Sequence, residues 1–217
     1  MKKAIYTVIT GDYDPIPPAP NFQGWDAILF SDVIVYDPNG WDVRMVGMSD
    51  NPVLQSRSIK ILSHEHLPEY DLVCYIDAHQ RFKIEPPACP IWFRHNIRKS
   101  IYQEARQLIK NGRFAERDVE EMICAYIDEG YQDCGLYING FFVRDNKDES
   151  VNRLHDVWFE ATKEFVPRDQ MTLPYAIWKT GIEPMNIVRP QIRDKYVFIK
   201  HGHNQKYERS PHNTGQG

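Results

Sequence analysis

The chain has 217 residues, 42% of them apolar and 12% aromatic, with 26 basic against 30 acidic side chains and a formal net charge of −4. This length and composition fit one globular domain with a sizeable core and exclude a disordered chain. The acidic balance excludes nucleic-acid binding through bulk positive charge, and no run approaches the roughly 18 apolar residues of a membrane span.

Lys3 to Thr10 is apolar and β-branched and reads as a buried strand. Lys2 and Lys3 imitate the basic start of a signal peptide, but the apolar stretch is short and ends in Gly11-Asp12-Tyr13-Asp14. Pro15, Pro17, Pro18 and Pro20 then keep the chain extended and irregular. Ala27 to Phe30 is a second strand, ending at Ser31-Asp32. Asp50-Asn51-Pro52 reads as a helix start, with Arg57 and Lys60 on the segment that follows. Tyr70 to Ile76 is a short apolar strand ending at Asp77-Ala78-His79.

The middle of the chain is more helical. Ile97 to Lys110 sets Ile101, Ala105, Leu108 and Ile109 on one face, and Gly112 is a plausible stop. Glu116 to Glu129 is a second helix, and Leu136 to Val143 a strand interrupted by Asn139-Gly140. Val151 to Phe165 and Asp169 to Lys179 are two more helices, the second kinked or delayed by Pro174. Tyr196 to Ile199 is a last short strand. One domain is expected over 1–206, followed by a flexible polar tail over 207–217. Early strands alternating with helices predict an α/β sandwich with a mostly parallel sheet, in which ligands bind beyond the carboxyl ends of the strands.

Cys74, Cys89, Cys124 and Cys134 form no Cys-x-x-Cys pair and read as reduced thiols. Asp77 and His79, two apart in an extended segment, point to one side and are candidate ligands for a divalent ion; a turn cap and a surface histidine explain them as well. His201 and His203 flank a glycine and either complete that shell or belong to a polar tail. Asp169 opens a helix, where a carboxylate suits the first turn; with Gln170 it is also a candidate for binding sugar hydroxyls, beside Arg168 for a carboxylate or phosphate. Tyr13 can stack on a base, and Asp12 or Asp32 can accept from ribose or base N–H groups; an ordinary polar turn is the plainer explanation. Arg57 and Lys60 suit phosphates or a solvated face. No Gly-x-Ser-x-Gly, Walker loop or Gly-x-Gly-x-x-Gly occurs, which weakens serine hydrolase, P-loop and dinucleotide readings.

In order, the chain carries Tyr6-Thr7, Gly11 to Asp14, Phe30-Ser31-Asp32, Arg57, Lys60, His64 and Tyr75-Ile76-Asp77. Then come His95, Arg98, Ile101-Tyr102, Glu104, Asn139-Gly140, Arg144, Trp158 and Arg168-Asp169-Gln170. This series, from about residue 3 to 206, resembles a family of glycosyltransferase-like domains with a GT-A (nucleotide-diphosphosugar transferase) fold. A more distant similarity links it to glycogenin-like and lipopolysaccharide-type retaining transferases. The resemblance implies a Rossmann-like α/β/α sandwich of the GT-A kind. It matches Asp77 to the first aspartate of an Asp-x-Asp metal motif, Asp169-Gln170 to an Asp-Gln pair near the reacting sugar, and His201 or His203 to a late metal histidine. His79 stands where the motif has its second aspartate, which removes one negative charge from the site.

The implied activity is transfer of a sugar from a nucleotide-diphosphosugar, expected to be a UDP-sugar, to a glycan or lipid-linked acceptor. Manganese is the expected ion and magnesium the second choice. Retention at the anomeric carbon follows from the Asp-Gln analogy alone. The absence of targeting features leads to the expectation of a cytoplasmic enzyme in polysaccharide biosynthesis, without nucleic acid as a partner. A metal-dependent hydrolase and an inactive sugar- or nucleotide-binding module are the alternatives. Trp158 and Trp178 are core residues before they are sugar platforms.

Overall fold

The computed structural model describes residues 1–184 and 186–199; His201, His203 and the tail over 207–217 lie outside them. The first half runs β1 (Lys3–Ile9), β2 (Asp26–Ser31), β3 (Asp42–Met45), α1 (Pro52–Ile61), α2 (Ser63–His66), β4 (Leu72–Ile76), β5 (Gln80–Phe82) and β6 (Ile91–Arg94). The second runs α3 (Ile101–Lys110), α4 (Glu116–Asp128), β7 (Tyr137–Asp145), α5 (Glu149–Glu164), α6 (Asp169–Thr180), β8 (Ile187–Val188), α7 (Pro190–Tyr196) and β9 (Val197–Ile199).

Among the described residues, seven strands form the central sheet in the order β3-β2-β1-β4-β7-β6-β8, and β5 pairs with β9 in a small separate sheet. The pairs β1–β2, β2–β3, β1–β4 and β6–β8 are parallel; β7 alone runs against its neighbours β4 and β6. The architecture is the expected mostly parallel α/β sandwich of the GT-A kind.

Both faces of the sheet are covered, so its central strands are apolar on both sides. On one face Ala4, Tyr6, Ile28, Phe30, Val73 and Tyr75 meet α1, α5 and α6 through Ile59, Leu154, Trp158, Leu173 and Ile177. On the other, Ile5, Ile9, Leu29, Cys74 and Ile76 lie under Trp25, Trp41, the Pro-rich segment at Ile16 and Ala19, and α7. A third cluster joins α3, α4 and α6 around Tyr126 and Tyr175, whose rings stack at 4.0 Å. Trp158 is fully buried in the first cluster, and Trp178 packs on the third.

Caps set the helix starts. The Asn51 side chain accepts from Leu54 N at 2.9 Å with Pro52 at the first helical position, as the sequence predicts. Helix α3 begins at Ile101 and not at Ile97, because Ser100 Oγ accepts from Gln103 N at 3.1 Å. Helix α5 starts two residues before the expected Val151, capped by Asp148. Pro174 lies inside α6 without delaying it; α6 begins at Asp169 and closes at left-handed Gly181.

One expectation fails outright. Asn139-Gly140 does not interrupt the strand, since β7 runs through to Asp145. The Gly140 carbonyl accepts from Asp77 N at 2.8 Å, and the Asn139 side chain is bonded on both sides, so the pair is held in the sheet. The register of β7 against β6 shifts between Ile91, opposite Val143, and Phe93, opposite Ile138, so the pair lies within the irregular stretch. The four cysteines are free thiols, and among the described residues no helix is long and apolar enough to cross a membrane.

Candidate active site

The carboxyl ends of β1, β2 and β4 lie side by side because these strands are parallel. Since β7 is antiparallel to β4, its beginning, Tyr137 to Gly140, reaches the same edge. The sheet therefore gathers Gly11–Asp14, Asp32, Asp77–His79 and Asn139-Gly140 along one rim. Helix α1 supplies Arg57 and Lys60, and α6 supplies Asp169 and Gln170.

Lys60 is the centre of the site. It is 2% exposed, and its Nζ donates to Asp169 Oδ2 at 2.6 Å and lies 3.6 Å from Asp77 Oδ1. The same ammonium sits 4.6 Å from the centre of the Tyr75 ring. Arg57 Nε lies 3.9 Å from the other Asp169 oxygen. The Tyr75 hydroxyl donates to Asp77 Oδ1 at 2.7 Å. A buried charge is tolerated only when paired and hydrogen-bonded; Lys60 is shared by the two carboxylates, whereas the buried Arg57 Nε reaches Asp169 only as a long ion pair and has no hydrogen-bond partner.

Core groups behind the site fix the last turn of α1. Tyr6 OH donates to the Lys60 carbonyl at 2.6 Å. Arg144 Nη1 donates to the next carbonyl, Ile61 O, at 3.1 Å, where His155 Nδ1 also bonds at 2.7 Å. These carbonyls have no partner within the helix, and the bonds give them one. The start of α6 is held in the same manner: the Asp169 carbonyl accepts from Asn139 Nδ2 and Trp158 Nε1, both at 3.0 Å. Trp92 Nε1 donates to Asn139 Oδ1 at 3.2 Å and fixes the amide.

These charges set the protonation states. Burial pushes the Asp169 carboxyl up, but Lys60, Arg57 and Arg168 together hold it well below the ordinary carboxylate range. Burial likewise raises Asp77, and Lys60, His79 and the Tyr75 hydroxyl outweigh it, so Asp77 also lies below its usual value. Burial opposes the Arg57 charge, yet Asp169, Tyr75, Asp77 and Tyr13 keep its guanidinium above the ordinary value. Burial, then Asp77, raises the Tyr75 phenol. At neutral pH Asp77 and Asp169 are thus carboxylate anions and the Tyr75 phenol is neutral.

Arg168 and Gln170 turn to one side of this centre. Arg168 Nη2 donates to Glu104 Oε1 at 2.9 Å and also bonds Gln170 Oε1, and Gln170 Nε2 donates to the Tyr137 carbonyl at 3.2 Å. Arg98 pairs with the second oxygen of Glu104, which is 1% exposed. Asp32 accepts from Gly11 N through both oxygens, at 2.9 and 3.0 Å, and so ties the β1 loop to β2. Gly11 and Asp12 both take left-handed backbone in that loop, and Tyr13 after them is exposed.

Oxygen chemistry suited to a divalent ion exists beside Gly140. A side chain there would meet Asp77 Oδ2 at 2.6 Å and would also run into the Gln80 amide. Buried Gln80 Oε1 has no hydrogen-bond partner. Asp77 and His79 are donors of a type that manganese or magnesium accepts, and Gln80, whose amide lies beside Asp77, adds that unpartnered oxygen. Among the described residues, the three-residue group with ligand spacing is a different one: His64, Glu65 and Asp156, built by α2 and α5.

Arg57, Lys60, Asp77 and Asp169, distant in sequence, thus meet in one network. Asp12, Tyr13 and Asp32 occupy the adjoining rim, and Arg168 and Gln170 are bonded toward Glu104 and the Tyr137 carbonyl. Sequence reasoning gave no role to Tyr75, Asn139, Glu104 or Gln80. Tyr75 precedes Asp77 by two positions on a strand and so shares its face. Glu104 falls in the apolar stripe of Ile101, Ala105 and Leu108, where a charge signals a buried pair.

The TOD1/MUCI70 glycosyltransferase-like domain model matches residues 43–198, well over half of the chain. The chain belongs to this family. No curated protein matches the chain. The family match runs from β3 to β9 and includes Arg57, Lys60, Asp77, His79, Arg168, Asp169 and Gln170. Asp12, Tyr13 and Asp32 precede it, and His201 and His203 follow it. Membership supports a general glycosyltransferase role for the chain.

Proposed function

We propose that the chain transfers a sugar from a nucleotide-diphosphosugar, a UDP-sugar first, to a hydroxyl of a glycan or lipid-linked acceptor, with retention at the anomeric carbon. The observation that carries this reading is the buried Lys60–Asp169–Asp77 network at the carboxyl edge of a GT-A-like sheet. Tyr13, with Asp12 and the Asp32-braced loop, lies beyond the carboxyl ends of β1 and β2 and would receive the nucleoside. Asp77 and His79 would hold a divalent ion, manganese first, with His201 or His203 as further ligands. When bound, that ion supplies charge to the departing diphosphate.

The remaining work falls to the chain. Lys60 and Arg57 keep Asp169 anionic, and this carboxylate would stand near the carbon on which positive charge develops as the nucleotide departs. Gln170, fixed between Arg168 and the Tyr137 carbonyl, orients the donor sugar. Asn139 and Trp158 hold the backbone of Asp169 and so preorganise its carboxylate.

Thermal shift of the purified protein against UDP, GDP, CDP and their sugars, with and without manganese, tests this reading. Ligands that bind only the folded state raise the midpoint. The expected result is a manganese-dependent shift with one nucleotide, lost in Asp77→Ala. No shift at millimolar nucleotide, or turnover of a nucleotide sugar that does not depend on any acceptor, overturns it.

A further inference from the structure

Beyond β7 the sheet edge continues into a groove of about 500 Å³ between the ends of β6 and β8. Strand β6 is antiparallel to β7, as β4 is, so the carboxyl ends of β6 and of its parallel partner β8 lie on the same edge as Asp77. Neighbouring strands are about 4.8 Å apart, which sets the groove roughly 10 Å from the strand of Asp77, the length of one or two sugar rings.

The groove is cationic in an acidic chain. Arg94, Lys99 and Arg189 line it, against the single carboxylate of Glu183. Glu183 neutralises little, since its Oε1 is 3.9 Å from Arg94 Nη2 and it is mainly solvated. Lys99 and Arg189 have no carboxylate partner among the described residues and are exposed. Arg94 is fixed in place: Nη1 donates to the Cys134 carbonyl at 2.6 Å, and the guanidinium lies 4.4 Å from the centre of the Tyr137 ring. A concave wall carrying one sign of charge concentrates ligands of the other sign.

Two chains of contact join the groove to Asp169 and Gln170. Tyr137, under Arg94, offers the carbonyl that holds Gln170. His95 lines the groove and contacts Arg98, which pairs with Glu104, the partner of Arg168. In the transferase reading the nucleoside would lie at β1 and β2, on one side of β4, and the groove at β6 and β8 lies on the other side of β4, from which an acceptor hydroxyl would approach.

We propose that this groove is the acceptor site and that it takes an acceptor bearing carboxylate or phosphate groups. The role as acceptor site rests on the transferase reading; the anion preference rests on the groove itself. Arg94 supplies a fixed, planar donor pair, and Lys99 and Arg189 supply the flanking charge.

Calorimetric titration at low ionic strength tests it, with a hyaluronan tetrasaccharide as the carboxylate probe, mannose 6-phosphate as the phosphate probe and maltotetraose as the neutral one. At least one anionic probe is expected to bind ten times more tightly than maltotetraose or better, and which one binds names the source of the charge. Lys99→Glu/Arg189→Glu is expected to weaken that binding tenfold or more while leaving the nucleotide-induced thermal shift unchanged. Lys110→Glu/Lys163→Glu, exposed positions on α3 and α5 with the same change of net charge, is expected to leave both unchanged.

Equal affinity for maltotetraose, no binding of either anionic probe, or anion binding indifferent to the Lys99/Arg189 pair overturns the proposal. Loss of the nucleotide shift in the Lys99/Arg189 variant also overturns it, because the groove would then belong to the donor. If the wild type shows no nucleotide shift but keeps its anion preference, the transferase reading and the acceptor role fail while the anion preference is upheld.

Discussion

A lysine ammonium buried as deeply as Lys60 persists only because Asp169 and Asp77 share it, so truncating it leaves two carboxylates with too few partners. Breaking such a buried pair costs about 3–5 kcal/mol. Lys60→Met is expected to lower the unfolding free energy by about that amount, read from urea midpoints. Lys60→Met/Asp169→Leu is expected to be more stable than the sum of its single variants; strict additivity would show that the pair is not coupled. His95 gives a pH signature. Burial, then Arg98, lowers its imidazole to about 4, and its Nδ1 accepts from Ile97 N and Arg98 N at 3.1 and 3.0 Å, which requires an unprotonated nitrogen. The unfolded imidazole takes its proton near pH 6.5 and the folded one only near 4. Stability from this residue is therefore complete above about pH 6.5 and is lost as the pH falls toward 4. His95→Gln is expected to flatten the stability profile over that window, and an unchanged slope would sink the assignment.

At the scale of elements, β7 shows what local patterns conceal. Asn-Gly is a strong turn signal, and the sequence alone places a break there. The sheet overrides it, because Gly140 lies against Asp77 and Gln80 where no Cβ fits. Gly140→Ala is expected to cost about 1–3 kcal/mol from overpacking and, by displacing Asp77, to abolish the manganese-dependent nucleotide shift in a protein that still unfolds cooperatively. A full shift with normal stability would mean that the close approach has no functional weight. The legible elements are those with strong local signals: the apolar runs of β1, β2 and β4, the Asn51-Pro52 start of α1 and the amphipathic stripe of α3. Strand β3 escapes notice as a short, half-exposed edge, and β6 because prolines crowd the segment before it. The same division holds in the site. Asp77 and Asp169-Gln170 stand at element ends and are visible in the sequence, whereas the partnership of Lys60 with Asp169 spans 109 positions and has no local trace.

For the whole molecule, the side chains that brace the site from behind are also core residues. Arg144 is almost fully buried and joins β7 to the last turn of α1, with its guanidinium lowered to about 10 by burial. Arg144→Met is expected to loosen α1 and, with it, Lys60. Hydrogen exchange checks this: protection should fall in α1 before it falls in β1 or β4, and uniform loss across the sheet would contradict it.

The antiparallel position of β7 also bears on how the chain is made. Strand β4 is apolar along its whole length and pairs with β1 on one side, but its other side is filled only by β7, whose last residue is Asp145. A ribosome-bound chain shorter than this holds an open, adhesive strand for as long as it takes to add about seventy residues, and at roughly 5–20 residues per second that is several seconds of exposure during synthesis.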